Sequence, residues 1–128
     1  MKKETRKKQA ENVLKKWKNF LGFGSWKFKV KVIKFQREDG FLQDGDIKVN
    51  YLKKQASIVI GNQLKASAEE IVVHELVHLM LWKFDRKMAL IIKSLHKLGQ
   101  EKAMDEYLGK LEKIVKMITM VFIKKRKS

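Results

Sequence analysis

The segment IVVHELVHLMLW, residues 71–82, places the strongest constraint on the fold of this chain. Apolar side chains stand at nearly every position except two histidines and the glutamate between them. Ser67 is followed three residues later by Glu70, a capping-box pattern that predicts a helix from that point to about Lys83. Because a helix that is apolar almost all round must be covered on most sides, it should lie at the centre of the molecule.

The residues before this helix predict an N-terminal helix and a small sheet. Residues 4–20 carry apolar side chains at helical spacing, and glycines at 22 and 24 end that pattern. The period then changes to two, because apolar residues alternate with lysine as in a strand with one exposed face. The predicted strands are residues 26–35, 47–51 and 56–61, so a mainly antiparallel sheet of about three strands is expected.

Two more helices are predicted after residue 82. The first closes at Gly99, interpreted as a C-cap, and the second starts near Gln100 with its apolar side chains in one stripe. This element order predicts an α+β fold and a single domain over residues 1–128. The segment 117–128 is longer than a small core requires, so it is interpreted either as a regulatory tail or as a helix end packed on the core.

Composition limits the chemistry and the location. The chain has no cysteine, which excludes thiolate metal sites and is compatible with a reducing cytoplasm. No apolar run approaches the roughly 20 residues of a transmembrane helix, so a soluble cytoplasmic protein is expected. The 30 Lys and Arg against 14 Asp and Glu give a net charge of +16, which predicts non-specific attraction to polyanions or simply a solvated lysine-rich surface.

His74 and His78 stand four residues apart and therefore on one face of the predicted helix. Two imidazoles one turn apart can direct nitrogen ligands to a common point, which is what a zinc ion needs from a helix. Glu75 lies next to that point, where a carboxylate can take a proton from a zinc-activated water. The alternative is a structural pair of histidines, hydrogen-bonded in the core with Glu75 as a partner.

HELVH, preceded by a small sheet and followed by helices, resembles the zinc metallopeptidases of the gluzincin type. The short chain is most similar to the minigluzincins, minimal soluble relatives of membrane metallopeptidase catalytic domains. The resemblance covers residues 4 to about 118 and implies a zincin-like fold with a glutamate from a later helix as the third ligand. It also implies that the strand before the active-site helix, here ASIVI, lines the cleft and pairs with an extended substrate.

The candidate for the third ligand is Glu101, on the flank of the apolar stripe of the last helix, whereas Glu106 faces the opposite side. The resemblance further implies that Asp105, four residues after Glu101, orients a ligand histidine. Two alternatives stay open. In the first, His96 is the third ligand and gives a three-histidine site similar to that of DNA-associated proteases. In the second, the third ligand is Glu106, or the protein supplies no third ligand.

The sequence thus predicts a zinc metalloendopeptidase, a hydrolase that acts on a peptide or protein substrate and is either active or latent. Zinc would be bound by His74, His78 and Glu101, with Glu75 as the general base and Asp105 behind the ligands. The alternatives are a DNA-associated three-histidine protease and an inactive zinc-binding interaction module. The oligomeric state is left open.

Overall fold

The computed structural model describes residues 3–33, 45–61, 67–95 and 97–127. It confirms the predicted α+β fold with an N-terminal helix, a three-stranded sheet and three later helices. The elements are α1 (Lys3–Phe20), β1 (Lys27–Ile33), β2 (Gly45–Asn50), β3 (Gln55–Gly61), α2 (Ala68–Met80), α3 (Trp82–Lys93) and α4 (Lys97–Lys127). Residues 1–79 and residues 80–128 form two compact units.

The sheet of the first unit has the strand order β1-β3-β2. β3 pairs in parallel with β1 and antiparallel with β2, so the sheet is mixed. The two parallel strands are not consecutive in sequence: β2 intervenes along the chain and returns on the far side of β3. Residues 34 and 35, the end of the first predicted strand, lie outside the described residues.

The first helix ends as its glycines predict. Gly22 has a φ of 87°, the left-handed conformation that glycine adopts without a steric penalty. The backbone N–H of Phe23 donates to the carbonyl of Lys18 at 2.6 Å, and the N–H of Gly22 donates to that of Asn19 at 3.2 Å. These two bonds form a Schellman motif, which ends α1 and turns the chain toward β1.

The core of the first unit lies between the sheet and its helices. Trp17 of α1 is completely buried, and its indole Nε1 donates a hydrogen bond to Glu69 Oε2 of α2 at 3.2 Å. Eight of the thirteen residues of α2 are buried as well, in agreement with the prediction of a largely covered helix. The apolar core residues of the strands and of α2 are Val30, Val32, Ala56, Ile58, Val59, Ile60, Ala68, Ile71, Val72, Val73, Leu76, Val77 and Leu79.

The second unit is built from α3 and α4. Its first helix ends at Lys93 rather than at Gly99, which is the third residue of α4 and does not have a positive φ. The predicted glycine cap is therefore wrong. Gln100 does the capping, because its side-chain amide donates to the carbonyls of Lys93 at 2.9 Å and of Leu95 at 2.7 Å.

The two helices of this unit are joined by a side-chain hydrogen bond. The Tyr107 hydroxyl of α4 donates to Asp85 Oδ1 of α3 at 2.7 Å. Burial and the neighbouring carboxylate raise the pKa of Tyr107 well above its usual value. Beyond this point α4 continues without a break through residues 117–127, where Thr119 and Ile123 are buried. None of the described helices, the 31-residue α4 included, combines the length and the apolar character of a bilayer-spanning segment.

Candidate metal centre

The local sequence fixes where α2 begins and which way its side chains point. The Ser67 hydroxyl accepts a hydrogen bond from the backbone N–H of Glu70 at 3.1 Å, as the capping pattern predicts. Glu69 and Glu70 lie in the first turn, where negative charge is stabilised by the helix dipole. With this start fixed, His74 and His78 fall in consecutive turns on the same face of α2.

The two histidines are close neighbours. The centroids of the His74 and His78 rings are 5.1 Å apart, and the ring planes meet at 62°. Both side chains are half-buried, in contrast to the apolar residues around them on the same helix. Two imidazoles that reach the surface together on a rigid buried helix can present nitrogen atoms to one ion.

Glu75 is more deeply placed than the histidines on either side of it, with 5% of its surface exposed. Its carboxylate lies beside Gly45, the first residue of β2. A Cβ on residue 45 would lie 3.4 Å from Glu75 Oε2 and only 2.7 Å from Ile71 Cγ2. Because such a distance is shorter than carbon contacts allow, the missing side chain lets β2 pass close to the carboxylate.

The strand ASIVI, part of β3, is not available for the substrate pairing that was expected of it. β3 is the central strand, and residues 55–61 have a partner on β1 and residues 55–60 a partner on β2. An extended peptide therefore cannot pair with β3. Within the described residues, the outer edge of β2 has no strand beside it, and the same strand begins next to Glu75.

The predicted third ligand and its neighbour lie on α4. Glu101 and Asp105 are exposed and one helical turn apart, and Glu106 is exposed as well. His96 lies outside the described residues. α4 carries one more carboxylate, the exposed Glu112, which the sequence interpretation did not consider. Its spacing was a usable signal, because a residue eleven positions after Glu101 returns to the same side of a helix.

The structure thus brings His74, Glu75 and His78 together on α2, and it aligns Glu101, Asp105 and Glu112 along one side of α4. Comparison of the chain with models of known protein families, with curated proteins and with solved structures finds no match.

Proposed function

We propose that this protein is a zinc-dependent metallopeptidase that hydrolyses peptide bonds. The observation that carries the proposal is the pair of neighbouring half-buried imidazoles on α2, His74 and His78, with the buried carboxylate of Glu75 between them in sequence. A structural histidine pair would not need to reach the surface. It would also not need a buried carboxylate such as Glu75, which lies beside the glycine at position 45 of β2. The resemblance of HELVH to the gluzincin motif supports the same conclusion.

The donor set fits zinc. Imidazole nitrogen and carboxylate oxygen are ligand atoms that zinc takes, and His74, His78 and Glu112 offer atoms of these kinds. When bound, zinc polarises a carbonyl group and lowers the pKa of water at the site toward neutrality. In this mechanism the histidines would hold the ion and Glu75 would accept the proton of the attacking water. Glu75 then returns that proton to the amine that leaves.

The third ligand in this proposal is a carboxylate of α4. Glu101 is the first choice, because the gluzincin resemblance implies a glutamate from a later helix, followed four residues on by an aspartate that orients a histidine. Glu112 is the competing choice, since it lies on the same side of α4. A negative ligand suits this position, because it partly offsets the double positive charge of the ion.

The substrate in this proposal is an extended peptide on the outer edge of β2. An edge strand offers unpaired backbone N–H and C=O groups, which an added peptide strand can satisfy. β2 is the strand that begins beside Glu75, so a peptide paired with it would pass near the base. A cytoplasmic location and non-specific binding of polyanions, from the net charge of +16, complete the proposal.

The test is zinc content and peptidase activity measured on the same set of variants, with unfolded casein as the substrate. Glu75→Gln should keep zinc and lose peptidase rate by about 10²- to 10⁴-fold, because proton transfer is removed and the ligands are not. His78→Ala should lose zinc as well as activity. Glu70→Gln is the matched control, since Glu70 is an exposed carboxylate in the first turn of the same helix.

The other outcomes separate the alternatives. Among Glu101→Ala, Glu112→Ala and His96→Ala, the variant with the largest loss of zinc affinity identifies the third ligand, and Asp105→Ala should lose about 10- to 100-fold. Loss of zinc with His96→Ala alone would replace the gluzincin proposal by the three-histidine, DNA-linked protease. Stoichiometric zinc without turnover of casein would leave an inactive zinc-binding module. A wild-type protein that binds no zinc would refute the proposal.

A further inference from the structure

The helix α3 carries apolar side chains that the rest of the described chain does not cover. Phe84, Ile91 and Leu95 are 56%, 58% and 43% exposed. Phe84, the half-buried Met88 and Ile91 follow the spacing i, i+4 and i+7, which places them on one face of α3, and Leu95 follows two residues after the helix ends. We call this face the α3 stripe.

The stripe is separate from the face that α3 turns toward α4. That inner face is marked by Asp85, which accepts the Tyr107 hydrogen bond, and by the buried Ile92. The stripe is therefore not the seam of the helical hairpin. Single exposed apolar residues are ordinary on protein surfaces, but a row of large ones along one helix face marks a surface that contacts something else.

The charges around the stripe indicate what it contacts. Lys83 and Lys87 are exposed and follow the stripe along one side. Over residues 82–127 there are thirteen Lys and Arg against five Asp and Glu, a net charge of +8. Packing of two such stripes from two copies would bring these like charges together, whereas an anionic surface complements them.

We propose that α3 lies on an anionic lipid bilayer surface, parallel to it, with the α3 stripe in the boundary between acyl chains and headgroups. Lys83 and Lys87 are long enough to bury their methylene stems and hold their ammonium groups against lipid phosphates. Trp82, at the first residue of α3, has the amphipathic ring that is favoured at this depth. A helix that combines an apolar face with a lysine-rich flank is the kind that binds in the interfacial plane without spanning the bilayer.

The experiment is co-sedimentation of the full chain with vesicles of phosphatidylcholine alone and of phosphatidylcholine with phosphatidylglycerol in equal parts. Binding should be strong to the mixed vesicles and weak to phosphatidylcholine. Phe84→Ser and Ile91→Ser should each weaken binding about tenfold or more, because each removes a large apolar side chain from the lipid contact. Lys87→Gln should weaken it about fivefold. Leu52→Ser is the control, since Leu52 is 96% exposed in the turn after β2, and it should bind like the wild type.

A spectroscopic measurement locates the contact. Trp17 and Trp26 are buried, so a blue shift of tryptophan emission on addition of mixed vesicles should come mainly from Trp82. Both serine variants keep α3 folded if their far-UV circular dichroism is unchanged, as expected for exposed positions.

Three results would overturn the inference. The first is failure at the vesicle surface: either Phe84→Ser and Ile91→Ser bind mixed vesicles as strongly as the wild type, or the wild type does not bind them at all. The second is equal binding to vesicles and to a DNA oligonucleotide, with the same salt dependence and no effect of the serine variants, which would indicate plain electrostatic attraction. The third is a dimer that is stable without lipid and that dissociates in both serine variants, which would show that the α3 stripe contacts a second copy of the chain.

Discussion

The two compact units of this chain bury their apolar residues very differently. Of the nine largest side chains that are almost fully buried within the described residues, eight belong to residues 1–79 and only Val115 belongs to residues 80–128. The exposed large apolar side chains are distributed the other way, with ten of fourteen in the second unit. The first unit therefore has a core of its own, whereas the second presents much of its apolar surface to the outside.

The difference follows from the kinds of layer each unit contains. A sheet covered by helices offers broad apolar surfaces, and the central helix α2 is apolar enough to be buried on most of its sides. Two helices joined as a hairpin share a single seam, so apolar residues away from that seam stay exposed. The candidate metal centre lies on α2, where buried neighbours hold the side chains in place. The proposed lipid contact lies on α3, where large apolar side chains are exposed.

The largest expected effect is on the core of the first unit. Trp17→Ala removes a side chain that is 0% exposed, together with its hydrogen bond to Glu69. It should lower the free energy of unfolding by about 3–5 kcal/mol, from the lost burial and the cavity that remains. Urea denaturation followed by far-UV circular dichroism measures the change. Because domains of this size are stable by roughly 5–15 kcal/mol, this loss is a large part of the total free energy of unfolding.

The comparison variant is Met117→Ala in the second unit, where the side chain is 61% exposed. Its free energy of unfolding should stay within about 0.5 kcal/mol of the wild type, as for most surface substitutions. Similar losses in the two variants would contradict the contrast between a buried unit and an exposed one.

A smaller effect is expected where β2 passes the candidate site. Gly45→Ala would place a Cβ 2.7 Å from Ile71 Cγ2, so either the strand or the helix must move. The free energy of unfolding should fall by about 1–3 kcal/mol, the usual cost of overpacking. The same urea denaturation measures it.

Gly109→Ala is the matched substitution in the second unit. Gly109 lies inside α4, and no atom approaches within 4 Å of the position that its Cβ would take. Alanine should therefore raise the free energy of unfolding by about 0.5–1 kcal/mol, through its better helix propensity. If Gly45→Ala also raised the free energy of unfolding, the close approach of β2 to α2 would be contradicted.

The sequence was sufficient for local features and insufficient for partners in space. The Ser67 cap and the Gly22 turn were predicted, because each depends on residues within one helical turn. The order of the strands was not, since an alternating pattern shows which face of a strand is buried and not which strand lies beside it. For the same reason β3 was expected to pair with substrate, although both of its edges are occupied within the sheet.

The ends of α3 and α4 show a second limit. A glycine near a helix end favours a cap, but the carbonyls of Lys93 and Leu95 receive the side-chain amide of Gln100 instead. A glutamine has no sequence pattern that marks it as a cap for the preceding helix. Of the candidate site, the α2 triplet follows from spacing alone. The choice between Glu101 and Glu112 requires more than helix periodicity, because both fall on the same side of α4.

A small effect is also expected at the seam of the second unit. Tyr107→Phe removes the hydrogen bond to Asp85 and should lower the free energy of unfolding by about 0.5–1.5 kcal/mol at neutral pH. Because the pKa of Tyr107 is raised in the folded state, the wild type keeps this advantage below the usual tyrosine pKa of 10.0. At higher pH the unfolded chain ionises first, so the advantage should shrink as the pH rises above that value.

Urea denaturation of the wild type and Tyr107→Phe at pH values on both sides of the usual tyrosine pKa measures this difference, and the other titrating groups are common to both proteins. Asp85→Asn provides the control, because the carboxylate that helps to raise the pKa of Tyr107 is then absent. In a double-mutant cycle the effect of Tyr107→Phe should be smaller on the Asp85→Asn background. A difference that stays constant or grows with pH would show that this hydroxyl does not hold α3 against α4.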